Sequence, residues 1–543
     1  MAPRTANVVV ALVLLAGRPL AAQMDMHEHG GAPPAHLGRV VFPSSCGAAA
    51  AVSVERGVAL LHSFWYEEAG QAFRDASQAD STCALAYWGQ ATSLLHPLWA
   101  PSSARDIATG AALVARARAL APPTARERGY VDAIGAFYGA DSGARFVDRL
   151  KAWSDGLDRL RTAEPADTEA TIFYALSLVA VAQNSPPDTT LGLQRRAGDL
   201  LEPLFQLRPD HPGLAHYLIH AYDAPALADR AVRAADRYAT IAPSVPHARH
   251  MPSHIYTRLG MWDASIAANA SAARAARQYE IAQHLDAVWD QRLHAMDYMA
   301  YAYLQRGRTA SARRLVAEAA AVRRVTPAHA GAAEYALTAI PARYALERGR
   351  WREAAALPLR ADLAEPGAIA VTYFARALGA ARGGDTAGAR AALAALAAVD
   401  DTLAAHAVPI WAGTVHAQRL AASAWLALAT RDTAAALRLA SDAADLEETT
   451  PKHPVTPGAI LPARELQGDL LLAVGRPADA LAAYQASLAR APRRARGLLG
   501  AAAAAERAGD RAAAARWRAD YRALTATVDR GPRRAPAAAS TAS

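Results

Sequence analysis

From Cys46 onward, apolar residues fall at helical spacing in run after run, and each run stops at a short turn. Near the C-terminus, Ala480, Leu481, Tyr484 and Leu488 form one stripe, because offsets of one, four and eight lie on one side of a helix. Ala69 and Phe73 share that spacing within HSFWYEEAGQAFRDA. Gly475 ends the run before the C-terminal stripe, and Pro492 closes the run that carries it, as helix stop signals do. The pattern predicts helices over about 47–63 and 65–80, then near 103–120, 123–137, 143–164, 167–183 and 189–207. Pro122-Pro123, Gly139 to Gly143 and Pro186-Pro187 punctuate them. Two histidine-bearing pairs follow over 211–241 and 245–278, then pairs turning at Gly307, Gly349, Gly384 and Arg431. No sustained Val/Ile/Thr alternation predicts strands.

A separation of 34 residues recurs along this series. It relates His62 to His96, His216 to His250, His220 to His254, Tyr222 to Tyr256 and Gly475 to Gly509. That is the period of a tetratricopeptide helix–turn–helix unit. The segment GDLLLAVGRPADALAAYQASLARAP, with Gly468 at the helix crossing, resembles the tetratricopeptide family closely. More narrowly, the FWYEEA, AYWG, HYLIHAYD and HMPSHI segments and the LPARELQGDLLL ending resemble a group of exported bacterial tetratricopeptide proteins. The resemblance implies an all-α fold, a right-handed superhelical array (α-solenoid) of about twelve helix–turn–helix pairs. It also implies that the first helix of each pair lines a concave, ligand-binding groove.

Composition refines this picture. Alanine supplies much of the apolar half of the chain; it is the best helix former and suits close helix packing. The formal charge is +8, carried by Arg except for Lys151 and Lys452. Arg and acidic residues interleave, which reads as solvated helix faces, and no basic run with interleaved aromatics points to nucleic acid. Arg4, the apolar Val8–Ala16 core and Leu20-Ala21-Ala22 read as a signal peptide over 1–22, too short to span a bilayer. The expectation is an exported protein, periplasmic or secreted, without a membrane span. A disordered His/Met/Gly/Pro linker is expected over 23–45, and its MDMHEHGG tract could bind a soft or borderline metal. N-terminal pairs occupy 46–210, central His-rich pairs 211–325, C-terminal repeats 326–529 and a disordered tail 530–543. Export makes a Cys46–Cys83 disulfide feasible.

The candidate chemistry lies between His211 and Tyr301. Counted back from the turn Gly260, His254, His250 and His247 share one helix face; counted back from Gly307, so do Tyr301, Asp297 and His294. With His216, His220, Tyr222 and Tyr256 they make a polar ladder across three repeats. Two readings stand side by side. In the first, the ladder lines the groove of a non-enzymatic scaffold that holds a peptide, a protein partner or an envelope component. In the second, His216, His220, His250 and His254 bind zinc or copper, because imidazoles at i and i+4 can share an ion; Asp223 and Asp297 are the carboxylates for a metal-dependent hydrolase. Pro252 complicates the second reading, since proline inside a helix bends it: either a helix starts near Met251 or it kinks there. Arg249, Arg258 and Arg343 could clamp a ligand carboxylate, and Lys452-His453 falls in a Pro-rich loop expected at the surface. The chain contains no HExxH, GxSxG, P-loop, dinucleotide or CxxC motif.

Overall fold

The computed structural model describes residues 36–99, 101–405 and 409–526. The signal-peptide segment, the MDMHEHGG tract and the C-terminal tail lie outside the described residues. The chain is an all-α array of tetratricopeptide-like helical pairs, from Ala48–His62 with Tyr66–Ala79 to Ala495–Arg507 with Arg511–Thr525. The turns expected at Gly307, Gly349, Gly384 and Arg431 all carry positive φ, between 63° and 87°. Two short segments, Val288–Trp289 and Val325–Thr326, pair in parallel. Alternation could not signal them, because each is only two residues long.

Cys46 and Cys83 form a disulfide at the open end of the first two pairs. Behind it, Phe42, Phe73, Trp88, Tyr130 and Phe173 fill the core of the N-terminal pairs. The apolar interior continues without a break into the histidine-bearing pairs, through Tyr217, Tyr222 and Tyr238.

The C-terminal repeats pack back against the middle of the array. Trp262, Ile266 and Tyr301 share one core with Leu471, Tyr484 and Leu498. The Trp262 indole N–H donates to the Arg493 carbonyl at 2.8 Å. At the turn before Trp262, Gly260 has φ +65°, and a Cβ there would stand 2.5 Å from the Pro492 carbonyl oxygen; glycine is required both by conformation and by space. Arg494, fully buried, joins Glu465, Glu347 and Tyr301 across this junction.

The Pro-rich loop after Thr449 therefore lies inside the array. Lys452 is not at the surface: its side chain is 7 % exposed and its ammonium meets Asp223 at 2.8 Å. His453 stacks on Trp411 with ring centroids 4.6 Å apart. Local sequence gave the loop a turn composition; the closure that covers it comes from residues hundreds of positions away.

Candidate metal centre

Three helical segments supply the histidines. Pro212–Ala221 begins with His211 at its N-cap and proline in the first turn, a pre-organised start; it presents His216 and His220. The next segment is broken into Pro246–His250 and Pro252–Arg258. Met251 keeps right-handed helical dihedrals, φ −52° and ψ −37°, so the break leaves His250 and His254 on one face. Asp290–Gln305 contributes His294. All six rings are at least nine-tenths buried.

They form two triads, His216/His220/His247 and His250/His254/His294; in each, one ring nitrogen per residue lies within 4.8 Å of the others. His220 and His254 rings stand 5.9 Å apart, so the triads adjoin. His250 Nε2 faces His254 Nε2 at 3.0 Å. His216 Nε2 faces His220 Nε2 at 3.1 Å and His247 Nε2 at 3.2 Å.

The opposite nitrogens decide what these contacts mean. His250 Nδ1 lies 2.6 Å from the Asn269 amide oxygen, and the Asn269 amide nitrogen donates to the Ser265 carbonyl, which fixes the amide orientation. His250 Nδ1 therefore carries the hydrogen. His254 Nδ1 donates to the Asp223 carboxylate at 2.9 Å. A neutral imidazole has one N–H, so both Nε2 atoms present lone pairs to each other. The Tyr298 hydroxyl cannot relieve them, because it donates to the Thr456 carbonyl at 2.8 Å. His216 repeats the arrangement: Nδ1 donates to the His62 carbonyl at 2.7 Å. Its Nε2 lone pair then confronts two neighbours and can accept from only one.

Protonation does not solve the problem. Burial pushes all six histidines below the ordinary imidazole value, and the neighbouring imidazoles push most of them further. Asp223 is already neutralised by Arg258 at 2.7 Å and Lys452 at 2.8 Å; burial opposes its charge, and these cations still hold its carboxyl well below the usual range. The rings are thus held neutral, the form that ligates metal. Nε2 turned inward with Nδ1 donating to a carboxylate, an amide or a carbonyl is the outer-shell pattern of metal-bound histidine. Two nitrogens on one tetrahedral ion at about 2.0–2.1 Å would stand about 3.3 Å apart, close to the spacing here. The donor set fits a transition-metal ion of the copper or zinc class.

The remaining ladder residues go elsewhere. Asp297 pairs with Arg343 at 3.0 Å, away from the histidines. Tyr222 donates to Glu202 and Tyr256 to Asp236. Tyr301 lies against Arg343 and Arg494. The three arginines serve the chain itself: Arg258 holds Asp223, Arg343 holds Asp297 and the Gly458 and Ala459 carbonyls, and Arg249 binds the Pro243 carbonyl and Ser271. Sequence reasoning passed over Asn269, Tyr298 and the role of Lys452. None of them stands in a motif, and their spacing to the histidines is set only by packing.

No family model and no curated protein matches this chain. Among solved structures, the human IFIT1 dimer with PPP-AAAA is similar over 88 % of this chain and 91 % of that chain, at 10 % identity and a TM-score of 0.38. The APC/C hetero-tetramer Cut9-Hcn1 is similar over 87 % of this chain and 93 % of that chain, at 12 % identity and a TM-score of 0.32. Among the described residues, no helix is long and apolar enough to cross a membrane.

Proposed function

We propose that this protein is a metalloprotein whose two histidine triads hold two transition-metal ions, copper or zinc, on six imidazoles. One observation carries the reading: His250 and His254 direct lone pairs at each other across 3.0 Å while Asn269 and Asp223 occupy their only N–H groups. Buried polar atoms are otherwise nearly always paired, and a bound cation is what satisfies two converging lone pairs. Asp223 and Asn269 orient the ligands; Lys452 and Arg258 keep Asp223 ionised.

The metal reading is favoured over a peptide groove because the chain's own Pro-rich loop covers the histidine face. Tyr298 is bonded to the Thr456 carbonyl, and Lys452 to Asp223. Export is part of the proposal. The targeting character of residues 1–22 and the Cys46–Cys83 disulfide both suit an oxidising compartment.

The test is elemental analysis of the protein purified without a polyhistidine tag, beside a His250→Ala/His254→Ala variant. About two ions per chain are expected in the wild type, with at least one lost in the variant. A wild-type chain that retains no copper or zinc after incubation and desalting overturns the reading.

A further inference from the structure

The two triads border a cavity of about 330 Å³, at the lower end of small-molecule sites, which run from about 300 to 1,000 Å³. His220, His247, His254 and His294 lie on its wall, with Trp65, Trp99, Trp289 and Trp411 beside them. Three carboxyl groups also line it, those of Glu67, Asp290 and Glu365. Among the described residues, no lysine or arginine does.

Asp290 lacks the partners that buried acids ordinarily have. Asp290 is 8 % exposed, and among the described residues its side chain meets only Gln291, through the backbone N–H and the side-chain amide at 3.4 Å. Glu67 turns its side chain to the cavity. Enclosure by the protein raises both carboxyls, and a neighbouring acid raises each further: Glu68 acts on Glu67, and Glu67 on Asp290, which is pushed up to about 7. A second gap lies one helical turn on, at a histidine of the triad. His294 is 7 % exposed, and among the described residues its Nδ1 has no hydrogen-bond partner. The wall therefore combines indole faces, which attract cations and planar rings, with carboxyls that have no counter-charge.

We propose that this cavity binds a small arylalkylamine, its ring among the indoles beside the histidines and its ammonium against Asp290 and Glu67. The inference rests on the metal reading only for the ions that would adjoin the ring; the indoles and carboxyls act without them. An anionic ligand would set its charge beside three carboxyl groups on a wall where, among the described residues, no arginine or lysine stands. A neutral aromatic would leave Asp290 unpaired.

The test is calorimetric titration of the full chain, stripped with chelator and separately loaded with copper or zinc. The probes are 2-phenylethylamine, 2-phenylethanol and phenylacetate. The amine is expected to bind both forms, the alcohol at least tenfold more weakly, and phenylacetate not at all to the stripped form. Asp290→Asn is expected to weaken the amine at least tenfold while leaving alcohol binding and metal content unchanged. Glu67→Gln, at a position already turned to open space, is a second variant with the same expected direction should Asp290→Asn fail to fold. Equal affinity for amine and alcohol overturns the proposal. So does a pair of variants that alter metal content but not amine affinity. Amine binding by a chain that takes up no metal would sink the metal reading and leave this pocket standing.

Discussion

Among the described residues, two of the three histidine clusters solve burial in opposite ways. In the first, His62 and His211 donate from Nε2 to the two oxygens of Glu169, each at 2.8 Å. The Tyr217 hydroxyl meets His62 Nδ1 at 3.0 Å, and the Leu214 N–H donates to His211 Nδ1 at 3.4 Å. Every donor has an acceptor. In the second, His250 and His254 spend their N–H groups outward and leave lone pairs facing inward. Both clusters have three potential ligands close together. Proximity therefore does not distinguish a ligand set from a structural network; accounting for every ring nitrogen does. The first is a finished polar network, and the second leaves facing lone pairs without a donor.

The largest effect that would break this contrast is in metal content. Replacing His254 with alanine is expected to abolish binding at its triad, whereas Glu169→Gln keeps full occupancy; equal metal loss in both would erase the distinction. The reverse is expected for the stability of the metal-free protein. Glu169→Gln breaks a buried charged network and should cost about 3–5 kcal/mol, read from chemical unfolding midpoints. His254→Ala removes a strained contact along with a good one and should cost less. A finer effect concerns Asp223→Asn, which weakens the group that orients His254; metal affinity should fall about 10–100-fold, measured by competition with a chelator.

The pH dependence sharpens the comparison further. The six histidines of the two triads have lowered folded-state values, so below the ordinary value of about 6.5 the unfolded chain binds more protons. The metal-free protein should lose stability as pH falls from about 6.5. Glu169 is held far below the usual carboxylate range by His211 and His62, against the opposing effect of burial. Its contribution is complete above about 4.3 and is lost only at lower pH. Two separable phases are expected in a pH series of melting temperatures, and His250→Ala/His254→Ala should shrink the upper one alone.

Much of the fold was legible in the sequence, because helical pairs are local: stripes such as Ala480, Tyr484 and Leu488 and turn residues such as Gly307 and Gly349 mark them directly. The histidines were legible for the same reason, since i and i+4 spacing is a local fact. Two parts were not. The face argument that swept Asp297 and Tyr301 into the ladder used periodicity alone, and the buried Arg343 and Arg494 on distant helices claim both residues. Lys452 read as a surface residue because nothing within its loop shows that Asp223 lies beside it. Long-range closure is what periodicity cannot encode.

That closure also orders events in time. During synthesis, all six ligand histidines have been made once residue 294 is added, and the loop that covers them follows only with Lys452. The repeats that anchor the loop, through Arg493 and Arg494, come later still. If the histidines hold ions, an ion can meet all six imidazoles before the last repeats dock. Docking then brings the Pro-rich loop beside them but leaves His220, His247, His254 and His294 on the wall of the cavity. Release of metal from the mature protein would then run through that cavity, and whatever fills the cavity would slow it.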